Sequence, residues 1–265
     1  MSKDDLGDRM KSNYENRTRH YLPRRTYSIL RVDGKAFHTY TRDCERPFDY
    51  NLMSCMDEAG KGLCEQISGA TLAYIQSDEI SVLITDFNKP GTEAWFDGNI
   101  QKISSVAASI ATAVFNQANM RAKWRDSGVS FEEVFNFACF DARVFTIPDR
   151  VEVNNYFYWR QKDWMRNSVS MVARSFFSHK DLAEKTIVDM KQMIISKGQD
   201  WGSYSDATKY GRVVFRKEEE KDIEFTKASG EIITAEGVKR KYWNVESAPI
   251  FTQERNYLNN MIPIL

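Results

Sequence analysis

Two short acidic motifs are the strongest sign of chemistry in this sequence. Asp33-Gly34 follows an apolar, β-rich run, and Gln76-Ser-Asp-Glu79 links two further strand-like runs. A two-residue hairpin turn favours Asn-Gly or Asp-Gly, whereas the central residues here are Ser77 and Asp78, flanked by Glu79. A turn with poor turn residues and two adjacent acids indicates chemistry rather than chain reversal. Taken singly, each motif is also typical of an ordinary solvated turn.

Together, the two motifs predict a site for divalent cations. If the strand that ends at Asp33 pairs beside the hairpin, Asp33 and Asp78 lie close to each other. Two unpaired carboxylates about 4 Å apart repel by roughly 4 kcal/mol at an effective dielectric constant of about 20. A bound Mg²⁺ ion removes this repulsion, and two such ions can activate an attacking hydroxyl and stabilise a leaving phosphate.

The elements that would position these acids alternate between strand and helix. Apolar periodicity predicts strands at 26–33, 71–76, 79–85 and 137–145, and amphipathic helices at 49–68 and 98–119. Residues 71–85 have the pattern of a hairpin. The order strand, helix, hairpin, helix, strand predicts an α+β fold, a palm-like (ferredoxin-like βαββαβ) antiparallel sheet with helices packed on one face.

The C-terminal part adds further helices and a hairpin. We expect a long helix at 152–176, a helix from a Ser178/Asp181 capping box to about Ser196, and a strand at 210–216. The highly charged residues 217–245 predict an exposed hairpin around Ser229-Gly230. Because no repeat or Pro/Gly linker divides the chain, we predict one catalytic domain over 1–265, with a palm-like core at about 26–148 and an integrated C-terminal part at about 149–265.

Composition limits the possible functions but does not choose among them. The 265 residues carry 37 Lys+Arg and 37 Asp+Glu, so an RNA-binding surface would have to come from local basic clusters. No apolar run approaches the roughly 18 residues of a membrane span, and we expect no membrane partner. Four dispersed cysteines predict neither disulfides nor a zinc knuckle, and a cytoplasmic location is the default expectation.

Five motifs in order along the chain resemble those of the tRNA-histidine guanylyltransferase superfamily, the 3′-to-5′ polymerases. The resemblance runs from residue 6 to about 216. It implies a palm-like enzyme that activates a tRNA 5′-phosphate with ATP or GTP, after which the 3′-hydroxyl of an incoming NTP attacks that phosphate. The motifs are Leu6-Gly-Asp-Arg-Met-Lys11, Arg31-Val-Asp-Gly-Lys-Ala-Phe-His38, Gln76-Ser-Asp-Glu79, Phe140-Asp-Ala-Arg-Val144 and Trp159-Arg-Gln-Lys-Asp163.

The resemblance also implies roles for individual residues, a tRNA 5′ end and NTPs as partners, and a homotetramer. Asp33, the carbonyl of Gly34 and Asp78 would ligate two Mg²⁺ ions, and Glu79 would support this catalytic acidic cluster. The nucleotide would contact Asp33, Gly34, Lys35, Ala36, Phe37, His38, Ser77, Asp78 and Lys102. The activation step would use His38, Arg46 and Lys191, and tRNA would contact Arg160, Arg166 and Asn167.

One departure from the motifs narrows the expected reaction. Eukaryotic members continue after Trp-Arg-Gln-x-Asp with His-Ile-Asn-Asn-Leu-Tyr-Asn, whereas this chain places Met165 at the histidine position and keeps only Asn167. A thioether cannot donate a hydrogen bond to a base edge. The sequence therefore more closely resembles the bacterial and archaeal guanylyltransferase-like proteins, which repair 5′-truncated tRNAs by template-directed addition.

Three alternatives stay open. The first is addition of G−1 to tRNA-histidine, and the second is a palm-derived RNA-binding protein without catalysis. The third, a nucleotide cyclase, is weakened because the late region has no recognisable cyclase signature loop. Within residues 159–171, the periodicity favours a buried aromatic helix with Trp159 and Trp164 in the core.

Overall fold

A six-stranded antiparallel sheet organises the protein in the computed structural model, which describes residues 4–125, 136–226 and 232–265. The strand order is β4-β1-β3-β2-β5-β6. The first four strands are connected as βαββαβ, so the predicted palm-like α+β fold is confirmed. The strands are β1 (Tyr27–Gly34), β2 (Ala70–Gln76), β3 (Glu79–Thr85), β4 (Phe140–Ile147), β5 (Arg212–Thr226) and β6 (Ile232–Ser247).

Helices cover both faces of this sheet. The helices α3 and α4 pack on one face, as the βαββαβ pattern predicts, and α5 packs on the other face. In the described residues the helices are α1 (Asp5–Asn13), α2 (Phe37–Tyr40), α3 (Tyr50–Gln66), α4 (Ile100–Arg125), α5 (Arg150–Arg174), α6 (His179–Leu182), α7 (Ile187–Ser196), α8 (Asp206–Tyr210) and α9 (Arg255–Asn259).

Alternation along the strands divides the apolar side chains between two cores. In β1, Leu30 and Val32 pack towards α3 and α4, whereas Tyr27 and Ile29 pack towards α5. Every residue of β3 is buried, because both faces of this central strand are covered. Each fully buried side chain of this size contributes about 1.5–3 kcal/mol by removing apolar surface from water. The two cores therefore hold the sheet, and the ends of its strands, in a fixed position.

The region 178–196 differs from the single helix that we predicted. Ser178 and Asp181 form the expected capping box, but the helix that they begin ends after one turn at Leu182. Glu184 takes a left-handed backbone with φ of 61°, and a second capping box, Thr186 with Asp189, starts α7. The second set of cap hydrogen bonds favours a new helix start over continuation of the first helix.

The strand predicted at 210–216 is the beginning of a longer ribbon. β5 pairs with β2 only from Arg212 to Phe215, and from there β5 and β6 continue as a two-stranded hairpin. The predicted charged hairpin is thus confirmed, while Ser229-Gly230 at its expected turn lies outside the described residues. Cross-strand ion pairs such as Lys239–Glu220, at 3.3 Å, run along the ribbon. Across the described ranges, no helix has the length and apolarity that crossing a membrane requires.

Candidate active site

The two acidic motifs meet at one end of the sheet. β1 and β3 pair antiparallel with Asp33 opposite Glu79, and the Gly34 N–H donates a hydrogen bond to the Asp78 carbonyl over 3.0 Å. The chain thus ends β1 beside the Ser77-Asp78 turn of the β2–β3 hairpin, as the predicted pairing requires.

The backbone on both sides of this junction is held in an unfavourable conformation. Ala36 and Ser77 have positive φ angles of 53° and 47°, which non-glycine residues rarely adopt. The ring of Phe37 packs against Phe140 at 5.2 Å between centroids and anchors the loop after β1. A Cβ atom on Gly34 would lie only 2.2 Å from this ring, so glycine is required there. Such strain is typical of functional sites, where surrounding packing maintains it.

Asp78 is a half-buried carboxylate with no cationic partner. Burial raises its pKa, and the charge of Asp33 raises that pKa further. Among the described residues, no Lys, Arg or His side chain lies within ion-pair distance of Asp78, whereas Asp33 has Arg31 at 3.7 Å and Arg143 at 4.0 Å. Two neighbouring carboxylates, one of them without a cation, fit a divalent metal ion.

The donor set points to a metal that also takes oxygen ligands from its substrate. No cluster of three or more His, Cys, Asp or Glu side chains suited to a metal occurs in the described ranges. Asp33 and Asp78 therefore supply only two carboxylates. Mg²⁺ is commonly held by one or two carboxylates together with substrate phosphates, so the residues present fit this ion.

Glu79 has a different environment from Asp78. Arg160 donates two hydrogen bonds to its carboxylate, at 2.8 and 2.7 Å, and Gln76 and Ser81 contact it at 3.3 and 3.4 Å. The Arg31 guanidinium lies 3.4 Å from the same group. Burial raises the pKa of Glu79, and the two arginines oppose that shift. Because its oxygens are already bonded, Glu79 can support the acidic cluster only as the partner of the two arginines, and a direct part in catalysis stays a prediction.

The same ion pair changes the prediction for the arginines of α5. Arg160 is 6% exposed and is fixed between Glu79 and Asp163, so it is not available as the predicted tRNA contact. Arg166 and Asn167 are exposed and remain accessible. The prediction that Trp159 and Trp164 are core residues is correct for Trp164, which is 3% exposed, and wrong for Trp159, which is 54% exposed.

A cavity of about 540 Å³ opens beside Asp78. This volume lies within the roughly 300–1,000 Å³ of small-molecule sites. The loop after β1, the turn and the end of α5 line it, so the structure brings together seven of the predicted residues: Gly34, Ala36, Phe37, His38, Arg46, Ser77 and Asp78. The ring of Phe37 itself is 5% exposed and acts mainly as an anchor.

Arg174 also lines this cavity, and the sequence reasoning missed it. It lies in the last turn of α5, is exposed, and has no carboxylate within ion-pair distance in the described residues. With His38 and Arg46 it gives the cavity three groups that can carry positive charge. A basic residue in the final turn of a helix is ordinary, because it offsets the helix dipole, and for this reason no sequence pattern identifies Arg174 as a site residue.

Three predicted lysines lie outside the cavity lining. Lys35 is exposed next to the site, and Lys191 lies 4.0 Å above the ring of Trp201. Lys102 is in the first turn of α4, with its ammonium 4.6 Å from the ring of Phe96.

Lys102 belongs to the other end of the sheet. Its neighbour Ile103 lines a cavity of about 20 Å³ with Thr85, the last residue of β3, and this space is far too small for a nucleotide. At about 3.3 Å per residue, Glu79 and Thr85 lie about 20 Å apart. Within one chain, Lys102 therefore lies far from the cavity beside Asp78, and its contact with the nucleotide stays a prediction.

The comparisons with known proteins all lead to the same family, and together they cover nearly the whole chain. A family model described as Thg1, tRNAHis guanylyltransferase, matches residues 7–148. A tRNA(His) guanylyltransferase of Debaryomyces hansenii is 25% identical over 205 residues, which cover 72% of this chain and 74% of that protein.

Two solved structures are similar along their full lengths. A bacterial tRNA(His) guanylyltransferase (Thg1)-like protein in complex with ATP has a TM-score of 0.80 and 39% identity, covering 98% of this chain and 99% of that chain. Such a bacterial protein in complex with GTP has a TM-score of 0.73 and 38% identity, with coverages of 97% and 99%.

Proposed function

The chain belongs to the tRNAHis guanylyltransferase family, and from this premise we propose that it repairs tRNA by adding nucleotides to a truncated 5′ end in the 3′-to-5′ direction. Members of the family are nucleotidyltransferases, and the matched segment contains both acidic motifs. The observation that carries the proposal is the uncompensated Asp78 carboxylate, beside Asp33, at the wall of a cavity of nucleotide size.

ATP and GTP are the proposed substrates of this cavity. The two bacterial proteins of similar structure were solved in complex with these nucleotides. His38, Arg46 and Arg174 can neutralise phosphate oxygens, which is the main requirement of phosphoryl and nucleotidyl transfer. We assign His38 and Arg46 to the activation step. Lys191, which lies outside the lining, would act there only if its side chain left Trp201.

Asp33, the Gly34 carbonyl and Asp78 would hold the two Mg²⁺ ions that we propose for the reaction. When bound, Mg²⁺ would supply positive charge to the attacking hydroxyl and to the phosphate oxygens. The protein itself contributes position. The strained Ser77 turn and the loop anchored by Phe37 fix the carboxylates before substrate arrives, so little reorganisation accompanies the reaction.

Met165 favours template-directed repair over strict G−1 addition to tRNA-histidine. It occupies the position at which eukaryotic members carry the histidine linked to anticodon recognition, and its thioether cannot donate a hydrogen bond. Watson–Crick pairing with the opposite strand would select the incoming nucleotide instead. We also propose that residues 1–265 act as one catalytic domain and assemble into a homotetramer in the cytoplasm.

Extension of defined tRNAs tests this proposal directly. Purified protein with ATP, NTPs and Mg²⁺ is given a 5′-monophosphorylated tRNA that lacks its first nucleotide. We expect addition of the nucleotide complementary to the opposing base, and a change of that base should change the nucleotide added. Absence of extension by protein with an intact circular dichroism spectrum would refute the proposal.

A second pair of substrates separates repair from G−1 addition. We expect faster extension of truncated, non-histidine tRNA than of full-length tRNA-histidine. The reverse preference would assign the chain to G−1 addition. Measurable Mg²⁺-dependent NTP binding without extension of either tRNA would support the nucleotide site and refute the tRNA repair proposal.

A further inference from the structure

One face of α5 combines an exposed aromatic ring with exposed cations beside the candidate active site. Asn155, Trp159, Lys162 and Arg166 are spaced i, i+4, i+7 and i+11, so at about 100° per residue they lie on one side of the helix. All four are exposed. From Trp159 to Arg166 this face extends about 10 Å along the helix axis.

Trp159 is held rigidly although half of its surface faces solvent. The guanidinium of Arg160 lies over its ring, 4.6 Å from the centroid, and Tyr156 contacts it edge-on at 5.9 Å. Arg160 is itself locked by two hydrogen bonds to Glu79. Among the tryptophans whose surroundings the structure describes, Trp159 alone is exposed. A fixed indole loses little conformational entropy when a planar ligand stacks on it.

This ring lies close to the catalytic end of the sheet. Tyr156, which touches Trp159, also contacts Phe145 of β4 at 5.8 Å. Two residues earlier on the same face of β4, the Arg143 guanidinium is 4.0 Å from the Asp33 carboxylate. An RNA strand that reaches Asp33 can therefore extend over β4 onto Trp159.

The charges on this face favour a polyanion. In the described residues, Lys162 has no carboxylate within ion-pair distance. Arg166 has only Asp163, at 3.3 Å, and that carboxylate also contacts Arg160. An exposed pair of this kind contributes little energy, so the Arg166 charge remains available to a phosphate.

We propose that Trp159, Lys162 and Arg166, the α5 stripe, bind the tRNA acceptor end next to the reacting 5′ phosphate. A base stacks on the exposed side of the Trp159 indole, and adjacent phosphates contact Lys162 and Arg166. Stacking of bases on aromatic side chains and phosphate contacts with basic residues are the usual means of binding single-stranded RNA. This inference rests on the proposed function.

A structural role of Trp159 must be separated from stacking. The indole also covers the Arg160 guanidinium, which is paired with Glu79, and Trp159→Leu preserves an apolar cover while it removes the aromatic face. Trp159→Phe preserves both the apolar cover and an aromatic face. The dissociation constant of 5′-truncated tRNA, measured without ATP over a range of salt concentrations, reports binding independently of catalysis.

We expect Trp159→Leu to weaken tRNA binding about tenfold without changing its salt dependence, and Trp159→Phe to bind almost as tightly as the unmodified chain. Lys162→Gln and Arg166→Gln should each weaken binding and lower the slope of log K against log salt by about 1. Lys180→Gln, at an exposed lysine of α6, serves as the matched control and should change neither quantity.

Two results would overturn the proposal. The first is unchanged tRNA affinity in Trp159→Leu; if its sedimentation coefficient is also altered, this face is a contact between copies of the chain. The second is an unchanged salt slope in both charge variants, which are at exposed sites and should fold. If the unmodified protein extends truncated tRNA in either of these cases, the α5 stripe fails while the proposed function stands. If it extends no tRNA, the proposed function itself fails.

Discussion

Asp78 and Glu79 are neighbours in sequence and carry the same functional group, yet the fold gives them opposite surroundings. Asp78 faces the cavity with another carboxylate nearby and, in the described residues, no cation. Glu79 is covered by α5 and bonded to Arg160, with Arg31 beside it. The comparison teaches that countercharge, not residue type, separates the proposed metal ligand Asp78 from the ion-paired Glu79.

The largest effect that follows from this comparison is on catalysis. Asp78→Asn should lower tRNA extension by roughly 10³-fold or more, because it removes a proposed ligand of the Mg²⁺ ions that would neutralise phosphate charge. Its free energy of unfolding should not fall, since Asn replaces a half-buried carboxylate that has no cationic partner in the described residues and can still accept a hydrogen bond. Activity assays and urea unfolding measure the two quantities. Asp97→Asn, at a residue whose side chain is 78% exposed, is the control and should leave both unchanged. Retained activity in Asp78→Asn would remove the metal assignment.

At Glu79 the larger effect should be on stability. Glu79→Gln leaves the buried Arg160 guanidinium with only the more distant, partly exposed Asp163 as a charge partner. Breaking a buried pair costs about 3–5 kcal/mol of unfolding free energy, and Asp163 should hold the loss to the lower end of that range. The double variant Glu79→Leu with Arg160→Met should recover much of this loss, because an apolar pair of similar volume needs no countercharge. If Glu79→Gln loses activity but keeps full stability, Glu79 acts in the chemistry and the contrast with Asp78 disappears.

Stabilisation by Mg²⁺ should also distinguish Asp78 from Glu79, with a smaller expected effect. At a Mg²⁺ concentration ten times its dissociation constant, binding to the native state stabilises the protein by about 1.4 kcal/mol. We expect this gain for the unmodified chain and for Glu79→Gln, and no gain for Asp78→Asn. Thermal unfolding with Mg²⁺, compared with sodium at equal ionic strength, measures it. A gain of equal size in Asp78→Asn would place the ion elsewhere.

The two acids also show which parts of the site can be predicted from the sequence and which cannot. Apolar periodicity and the Ser77-Asp78 turn were enough for the βαββαβ core and for the meeting of Asp33 with Asp78. The partners of Glu79 were not predictable in this way, because Arg160 lies 81 positions away and reaches it only after α5 docks on the sheet.

Helical periodicity has a related limit in α5. It identifies which residues share a face, but not how far the covered surface extends around the helix. Trp159 was therefore predicted in the core together with Trp164, whereas the family resemblance, not periodicity, implied that Arg160 contacts RNA. Docking of α5 on the sheet reversed both, since the side of α5 that carries Arg160 covers Glu79 and leaves Trp159 at the edge.

The smallest predicted effect is at Lys102. The family resemblance implies that this lysine contacts the nucleotide, whereas in the fold it lies near the far end of β3. Lys102→Gln should change extension by less than about twofold, because a charge some 20 Å away in water is largely screened at physiological salt. Arg46→Gln, at the cavity, is the matched comparison and should weaken ATP use clearly. If Lys102→Gln lost as much extension activity as Arg46→Gln, the lysine would have to act in the reaction despite its distance. Since Lys102 cannot reach the cavity of its own chain, the lysine would have to come from a second copy, and the site would be complete only in the assembled oligomer.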